Sequence, residues 1–438
     1  MRALFHLILI QCYGALGILL FDPSAGYGAV ANGGSLVVQI VSSGSGLYAL
    51  YLISGSPRAI ALLKQSAPVF ILCALAFASA GWSVDWWLTI RRAMLLSISF
   101  LIGIAMVGRL GTTGAVRLVV QSMALTCAIS VIAVYTNPEL AIHQASDAFQ
   151  KVHAGLWRGV LGHKVELGSF AGLTLALIAY FRGEVFPNLA VAAGAAACAV
   201  ACLIGSGSAT GLTIFATLWV VLAFAHRVAL KPRGVRGAAL KSFTLGLLLF
   251  AVLVHTGTLD TLSSYLGRSS DLTGRATYWP YVQQVVDERS PWLGFGYGAG
   301  FRLVGPLAAE LSDTRLTEAH NGYYEMLVAF GRLGAPIVFA VIALFFWRAR
   351  NLLNLDWPRV GKFTVVPCCL LATQFFTCHV ESIILEQSGI WTMLFSLSIA
   401  LTANLKIEHE TVMRSILASV MAAHTPPPHP PARLPLAA

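Results

Sequence analysis

Long apolar runs separated by polar segments dominate this chain. Most runs approach the roughly 20 apolar residues that an α-helix needs to cross a bilayer, where no water satisfies the backbone. The pattern predicts an all-α polytopic membrane bundle of about twelve transmembrane helices, forming a single domain over residues 1–408. The predicted spans are 4–21, 35–53, 67–82, 93–108, 118–136, 166–181, 187–204, 209–225, 242–257, 323–347, 363–379 and 387–404.

Two polar segments between the spans are long enough to build a site, 137–165 and 258–322. We expect the second to be a large periplasmic catalytic loop. Within the first, residues 138–157 have an amphipathic pattern, which predicts that they lie in the membrane interface, although a plain connecting helix fits about as well. Residues 409–438 end in a proline-rich stretch and are expected to form a disordered cytoplasmic tail.

Composition agrees with a membrane protein, because 57% of residues are hydrophobic and 11% are charged, against about 25% charged in soluble domains. The net charge of +10 follows from topology: with a cytoplasmic N-terminus, the basic segments 226–241 and 348–362 both fall inside. The charge indicates attraction to anionic lipid and gives no indication of nucleic-acid binding. All eight cysteines lie in or beside apolar runs, so neither a disulfide framework nor a zinc site is indicated.

The 258–322 segment carries fixed positive charge suited to phosphate. Guanidinium groups present planar donor forks to phosphate oxygens, but exposed arginines more often form weak ion pairs with nearby carboxylates. The same segment holds Gly294, Gly296, Gly298 and Gly300, whose spacing lets the backbone bend close to a ligand. It lacks the setting of a nucleotide-binding loop. The arginines are Arg268, Arg275, Arg289, Arg302 and Arg315, and the possible partners are Asp271, Asp287, Glu288, Glu310 and Asp313.

His320 is the candidate base. It is next to Asn321 and close to Glu318 and Glu325, and an imidazole beside a carboxylate can accept a proton near neutral pH. The alternative is an interfacial histidine bonded to backbone. The neighbouring aromatic residues are first interpreted as an interfacial belt; they are Trp279, Trp292, Tyr323 and Tyr324.

Several motifs, in consistent order over about residues 80–400, resemble the O-antigen ligase and polymerase superfamily, which includes Wzy-type and exopolysaccharide polymerases. In the 258–322 segment they are LTGRATYW, PWLGFGYG and HNGYYE, followed by Gly331 and Gly334. The others are WSVDWWLTIRR (82–92), RGVLGHKVELGS (158–169) and GSGSATGL (205–212).

This resemblance implies a membrane-embedded glycosyltransferase of the C type that is multi-pass in the bacterial inner membrane and has a periplasmic active site. The implied donor is an undecaprenyl-diphosphate-linked glycan, and the acceptor is another glycan or lipid A core. The implied enzyme is inverting, metal-independent and free of cofactors. Membrane lipid and a chain-length regulator are the other expected partners.

The resemblance also implies roles for individual residues. Arg275 would bind the donor diphosphate, and His320 would activate the acceptor hydroxyl. Ligases typically have an arginine where this chain has Ala209, and exopolysaccharide polymerases tend to have asparagine where it has Val165. The positive charge that such an arginine would give to the donor diphosphate would come instead from Lys164, Arg158 or Arg268. The residues supporting His320 would be Asn321, Glu325, Tyr323 and Trp279.

Three functions stay open at this stage. A polymerase and a ligase share the donor chemistry and differ in acceptor, and Ala209 modestly favours the polymerase. A transporter or flippase for a lipid-linked sugar also suits the number of spans. Transporters, however, usually have charged or broken-helix sites near the bilayer midplane, whereas polar residues here gather on one face.

Overall fold

The computed structural model describes residues 1–15, 36–147, 151–255, 278–312, 318–357, 361–379, 381–386 and 389–424. Within these residues every extended regular element is helical, and the only strand-like pairing is one isolated antiparallel bridge between Ile142 and Trp157. The prediction of an all-α membrane bundle is therefore confirmed.

Fifteen α-helices make up the described part of the chain. The first eight are α1 (Arg2–Cys12), α2 (Leu36–Ser54), α3 (Pro57–Gln65), α4 (Val69–Ala78), α5 (Trp86–Thr136), α6 (Pro138–Ala141), α7 (Lys164–Phe181) and α8 (Leu189–Ser206). The others are α9 (Ala209–Ala229), α10 (Arg233–His255), α11 (Trp279–Arg289), α12 (Phe301–Ser312), α13 (Gly322–Leu352), α14 (Val366–Thr377) and α15 (Ile390–His424).

The count of twelve spans is not confirmed. Among the described residues, six helices are long and apolar enough to cross a membrane, or seven if the bent pair of α2 and α3 is one span. The predicted spans 93–108 and 118–136 both fall in α5, which is broken at Gly111 with φ 69°. Three other apolar helices are shorter than 18 residues. Hydropathy locates apolar runs but does not show which runs join one helix or how long each helix is.

The centre of the bundle is α5, which contacts α2, α8 and α15. Small residues allow this packing: a methyl group on Gly103 would lie 2.1 Å from Ser396 Oγ. Helices α7 and α9 approach in the same way, because a methyl group on Gly172 would lie 2.1 Å from the Gly211 carbonyl oxygen. Close helix contacts through small residues are typical of membrane proteins, where burial away from water supplies little driving force between helices.

The segment 258–322 is not a simple loop in its described part. Helices α11 and α12 pack against each other and α11 also contacts α13. Their shared core is a second apolar cluster, separate from the main one. It contains Tyr278, Val282, Val285, Val286, Phe295, Val304, Ala308 and Val328.

Two local patterns have other outcomes than a simple interpretation suggests. The alternative of a plain connecting helix does not hold for the described part of 138–157, because the His143 amide donates to the Leu156 carbonyl and the Gly155 amide to the His143 carbonyl, both at 2.9 Å, so the segment folds back on itself. Its place in the membrane interface stays a prediction. The tail predicted to be disordered from 409 is helical as far as His424, since no glycine or proline interrupts that stretch. Residues 425–438 lie outside the described part.

Candidate functional site

Two of the sequence motifs lie against each other in the fold. The turn before α5 contacts the glycine-rich segment 290–300. The Val84 amide donates to the Phe295 carbonyl at 3.0 Å, and Trp82 Nε1 donates to the Leu293 carbonyl at 2.8 Å. Tyr297, in the same segment, donates its hydroxyl hydrogen bond to the Leu385 carbonyl, in the turn between α14 and α15, at 2.5 Å.

The glycine-rich segment packs against helix α13. Helix α13 is broken at Gly331, with φ 60° and ψ −166°. Beside the break, the Phe295 amide donates to the Val328 carbonyl at 2.8 Å, and the Arg332 amide donates to the Pro291 carbonyl at 2.9 Å. These bonds satisfy backbone groups that the break frees. Gly294 therefore has a structural role at the break of α13, and the approach of the glycine-rich segment to a ligand stays a prediction.

The loop from 318 to 321 leads into α13 and holds His320 in a special conformation. His320 has a φ of 48°, a left-handed backbone that non-glycine residues adopt rarely and that often marks functional sites. Asn321 is the N-cap of α13, and its Oδ1 accepts from the Tyr323 amide at 2.9 Å. Its Nδ2 donates to the His379 carbonyl at 3.2 Å.

Ala319 fixes the other side of this loop. Its carbonyl accepts from Trp279 Nε1 at 2.9 Å, and its amide donates to Glu325 Oε1 at 2.8 Å. The structure thus places Trp279, Asn321 and Glu325 where each restrains the backbone around His320. Tyr323 contacts a different histidine, with its hydroxyl 3.2 Å from His379 Nε2.

Two carboxylates face the imidazole of His320. Glu318 Oε1 is 3.2 Å from Nδ1, and Glu381 Oε2 is 3.7 Å from the same atom. Glu318 was expected here from its position in the chain, whereas Glu381 comes from the turn between α14 and α15. Carboxylates at Nδ1 leave Nε2 as the proton acceptor, so the arrangement can act as a general base.

Two further glutamates interact electrostatically with this carboxylate pair. Glu166 at the start of α7 interacts with Glu318 and Glu381, and Glu386 interacts with all three. Burial and the neighbouring carboxylates raise the pKa of Glu386 well above its ordinary value. The surroundings of His320 are therefore rich in carboxyl groups, and at least one of them favours its neutral form.

A cluster of three imidazoles lies next to Lys164. The ring centroids of His143, His153 and His163 are 5.4–5.6 Å apart. Burial is the largest cause that lowers the pKa of His143 to about 4 and that of His163 to about 3. His163 also interacts electrostatically with His320 and Lys164. No group of side chains in the described ranges is arranged to hold a metal ion.

The candidate cations differ in their surroundings. Arg158 donates to the carbonyls of Leu140 and Glu139 at 2.9 and 2.8 Å and pairs with Asp147 at 3.0 Å, so its donors hold segment 137–165 together. Arg268 and Arg275 lie outside the described residues. Among the predicted phosphate-binding residues, Lys164 is the one that the structure places in the region of His320.

Position 209 lies close to Lys164 in the fold. Ser208 is the N-cap of α9, and its Oγ accepts from the Gly211 amide at 3.2 Å. A methyl group on Gly168 would lie 2.3 Å from Ser208 Cβ. Lys164 is one helical turn before Gly168 in α7, on the same helix face. The charge of Lys164 is therefore near the place where the superfamily's ligases have an arginine.

Sequence reasoning missed the residues contributed by the turn after α14. Ser382 Oγ accepts from the Asn321 amide at 3.2 Å and donates to Glu325 Oε1 at 3.1 Å, and Glu381 faces His320. The sequence feature that could have indicated these residues is the acidic stretch 379–389 between two apolar runs. The histidine cluster had a weaker signal, namely three histidines within the first polar segment.

Comparison with known proteins supports the resemblance. No curated protein matches the chain significantly. Residues 193–339 match the family model described as O-antigen ligase, a stretch that includes Ser208, Arg275, His320 and Gly331. Over residues 193–339 the chain is therefore similar to the O-antigen ligase family, and this match supports the resemblance to the O-antigen ligase and polymerase superfamily.

Proposed function

We propose that this protein is an inverting membrane glycosyltransferase that polymerises glycans linked to undecaprenyl diphosphate at the periplasmic face of a bacterial inner membrane. The observation that carries the proposal is the setting of His320: a strained backbone position at the start of a membrane helix, with two carboxylates at Nδ1. The match to the O-antigen ligase family supports the same chemistry.

The reaction is a single displacement at the anomeric carbon of the donor. The acceptor oxygen forms the new bond to that carbon while the bond to the diphosphate oxygen breaks, and the diphosphate leaves with the electron pair. The acceptor proton goes to Nε2 of His320. Because the diphosphate leaves as a stable anion, cationic contacts and one base are sufficient for catalysis. An in-line displacement inverts the sugar carbon.

The cations of the proposal are Arg275, by the family resemblance, and Lys164, by its place in the fold. Lys164 is at the start of α7 and interacts with His163, which in turn interacts with His320. Gly168, one helical turn later in α7, lies against Ser208, so Lys164 is on the helix face next to position 209, where the superfamily's ligases have an arginine. An ammonium there would contact one phosphate of the donor while Arg275 contacts the diphosphate from the other segment.

The decisive experiment uses purified protein in proteoliposomes with lipid-linked repeat units extracted from a strain that lacks this gene. A glycosyltransferase forms a new glycosidic bond, seen as longer lipid-linked glycans by mass spectrometry. A carrier makes no such bond. If correctly folded wild-type protein forms no new glycosidic bond, the proposal is refuted.

The glycan profile of the deletion strain distinguishes polymerase from ligase. Single repeat units on the lipid indicate that polymerisation is lost. Long polymer left on the lipid indicates that transfer to lipid A core or to another acceptor is lost, and the assignment would change to a ligase.

A further inference from the structure

The two carboxylates at His320 differ in their exposure to solvent. The Glu318 side chain is 45% exposed and the Glu381 side chain is 12% exposed. Solvent screens an exposed charge far more strongly than one that protein surrounds. The Glu381 carboxylate therefore acts on the imidazole more strongly than its distance of 3.7 Å, against 3.2 Å for Glu318, would suggest.

Hydrogen bonds fix the turn of Glu381 against the loop of His320. Ser382 Oγ contacts both the Asn321 amide and Glu325 Oε1. The Gly322 amide donates to the Cys378 carbonyl at 2.7 Å, and Asn321 Nδ2 donates to the His379 carbonyl. These bonds lie on both sides of Glu381 in the chain, so its carboxylate has a defined position relative to the imidazole.

We propose that Glu381 is the positioning residue of the base His320. The charge of its carboxylate, 3.7 Å from Nδ1, favours the tautomer with the proton on Nδ1 and the lone pair on Nε2, and it stabilises the imidazolium formed when Nε2 takes the proton of the acceptor hydroxyl. This inference rests on the proposed function, and it places a functional residue outside the segment that matches the family model, 193–339.

Other charged groups also act on His320. Glu318 faces it from the same loop, Glu325 from the first turn of α13 and His163 from the segment before α7. Glu166 and Glu386 are farther members of the same carboxylate group. Since the carboxylates favour the imidazolium, loss of Glu381 lowers the His320 pKa without removing the base.

Kinetics of glycosidic-bond formation test the role directly, with the extracted lipid-linked repeat units as substrate. We expect E381Q to lower kcat about 10-fold to 100-fold while KM changes less than about twofold, and to move the acidic limb of the pH profile to lower pH. E381D should restore part of kcat, because it keeps the charge. E288Q is the matched control and should leave kcat unchanged, because Glu288 is exposed on α11. E318Q should lower kcat less than E381Q does, since the Glu318 carboxylate is the more exposed of the two.

Chemical labelling gives a second reading that needs no substrate. Diethyl pyrocarbonate reacts with neutral imidazole, so the labelling of His320 against pH, measured by peptide mass spectrometry, reports its pKa. E381Q should shift this curve to lower pH more than E318Q does. An unchanged curve with E381Q, or a larger shift with E318Q, overturns the role of Glu381 even if the wild-type protein is an active transferase. If E381Q shifts the labelling curve as expected but the wild-type protein forms no glycosidic bond, the proposed function is wrong and the effect of Glu381 on His320 is not.

Discussion

Gly331 in α13 and Gly294 in the glycine-rich segment lie against each other, with no room for a side chain at either position. A methyl group on Gly331 would lie 2.6 Å from the Gly294 amide nitrogen, and one on Gly294 would lie 2.7 Å from the Gly331 amide nitrogen. Both residues have positive φ. Helix α13 begins after its N-cap Asn321, which follows His320 in the chain. The contact therefore fixes the glycine-rich segment against the helix that positions His320.

Gly331→Ala should therefore destabilise the protein. The backbone at Gly331 is in a region that only glycine adopts readily, so alanine there costs about 1–3 kcal/mol in backbone strain. A steric clash adds to this cost, because the Trp292 carbonyl oxygen would lie 2.5 Å from the new methyl group. We expect a lower melting temperature in detergent and less protein in the membrane fraction. Both are measured by fluorescence-detected size-exclusion chromatography after heating.

The matched control is Gly246→Ala in α10, where a methyl group would meet nothing within 4 Å. Alanine favours a helix by about 1 kcal/mol over glycine, so this variant should melt at the wild-type temperature or slightly above it. Equal melting of the two variants would show that the contact between Gly294 and Gly331 does not stabilise α13.

His320→Ala and Arg275→Ala should each abolish glycan extension while the protein remains in the membrane. Removal of a general base lowers the rate by about 100-fold to 10,000-fold. Arg289→Ala is the control, because Arg289 is exposed at the end of α11 and should be mild. The measurement is product formed per amount of membrane protein.

The positive φ of His320 calls for one more variant in this series. Asparagine tolerates a left-handed backbone better than alanine does. His320→Asn thus removes the imidazole with less effect on the loop and should be equally inactive. Normal product from either variant at 320 would remove this residue from the mechanism.

The start of α13 could be predicted from the sequence. The motif HNGYYE has a good N-cap residue directly before a long apolar run, and the helix begins at Gly322 as this pattern suggests. The same reasoning could not find Glu381, because residues 379–389 looked like a short turn between two spans. Its contact with His320 joins residues that are 61 positions apart, and the hydrophobic pattern contains no information about such pairings.

The spans of the described residues are also only partly predictable, for a related reason. The pattern shows two apolar runs in α5, but it does not show that both belong to one continuous stretch of helix that is broken at Gly111. Likewise, the arginines of the 258–322 segment could be assigned partners only by proximity in sequence. The structure pairs Arg302 with Asp85, which comes from the turn before α5.

Lys164→Ala should lower kcat/KM for the lipid-linked donor about tenfold, the value expected for loss of one charged hydrogen bond to phosphate. Lys164→Arg should restore most of it. Arg158→Ala should behave differently, because Arg158 holds segment 137–165 through Asp147 and two carbonyls. We expect a lower melting temperature with near-normal activity per folded molecule. If Arg158→Ala weakens donor use at unchanged stability, the roles of these two cations are reversed.

Acid should destabilise the segment 137–165 through its buried histidines. An exposed histidine in the unfolded chain takes up a proton near pH 6.5, whereas burial, helped by Arg158, lowers the pKa of His143 to about 4 in the folded protein. The unfolded state therefore binds more protons as the pH falls. The stability that neutral His143 contributes is fully present above about pH 6.5 and is lost progressively towards pH 4.

His143→Gln should reduce this sensitivity, since glutamine does not titrate and can still accept the hydrogen bond that the Lys164 amide gives to His143 Nε2 at 3.2 Å. Melting temperatures at pH 7.5, 6.0 and 5.0 provide the measurement. We expect the wild-type protein to lose more stability across this range than His143→Gln, by about 2 kcal/mol at pH 5.0. His409→Gln, which changes a histidine packed against Trp357, should follow the wild-type curve. Identical slopes for all three proteins would show that His143 is not held neutral by its burial.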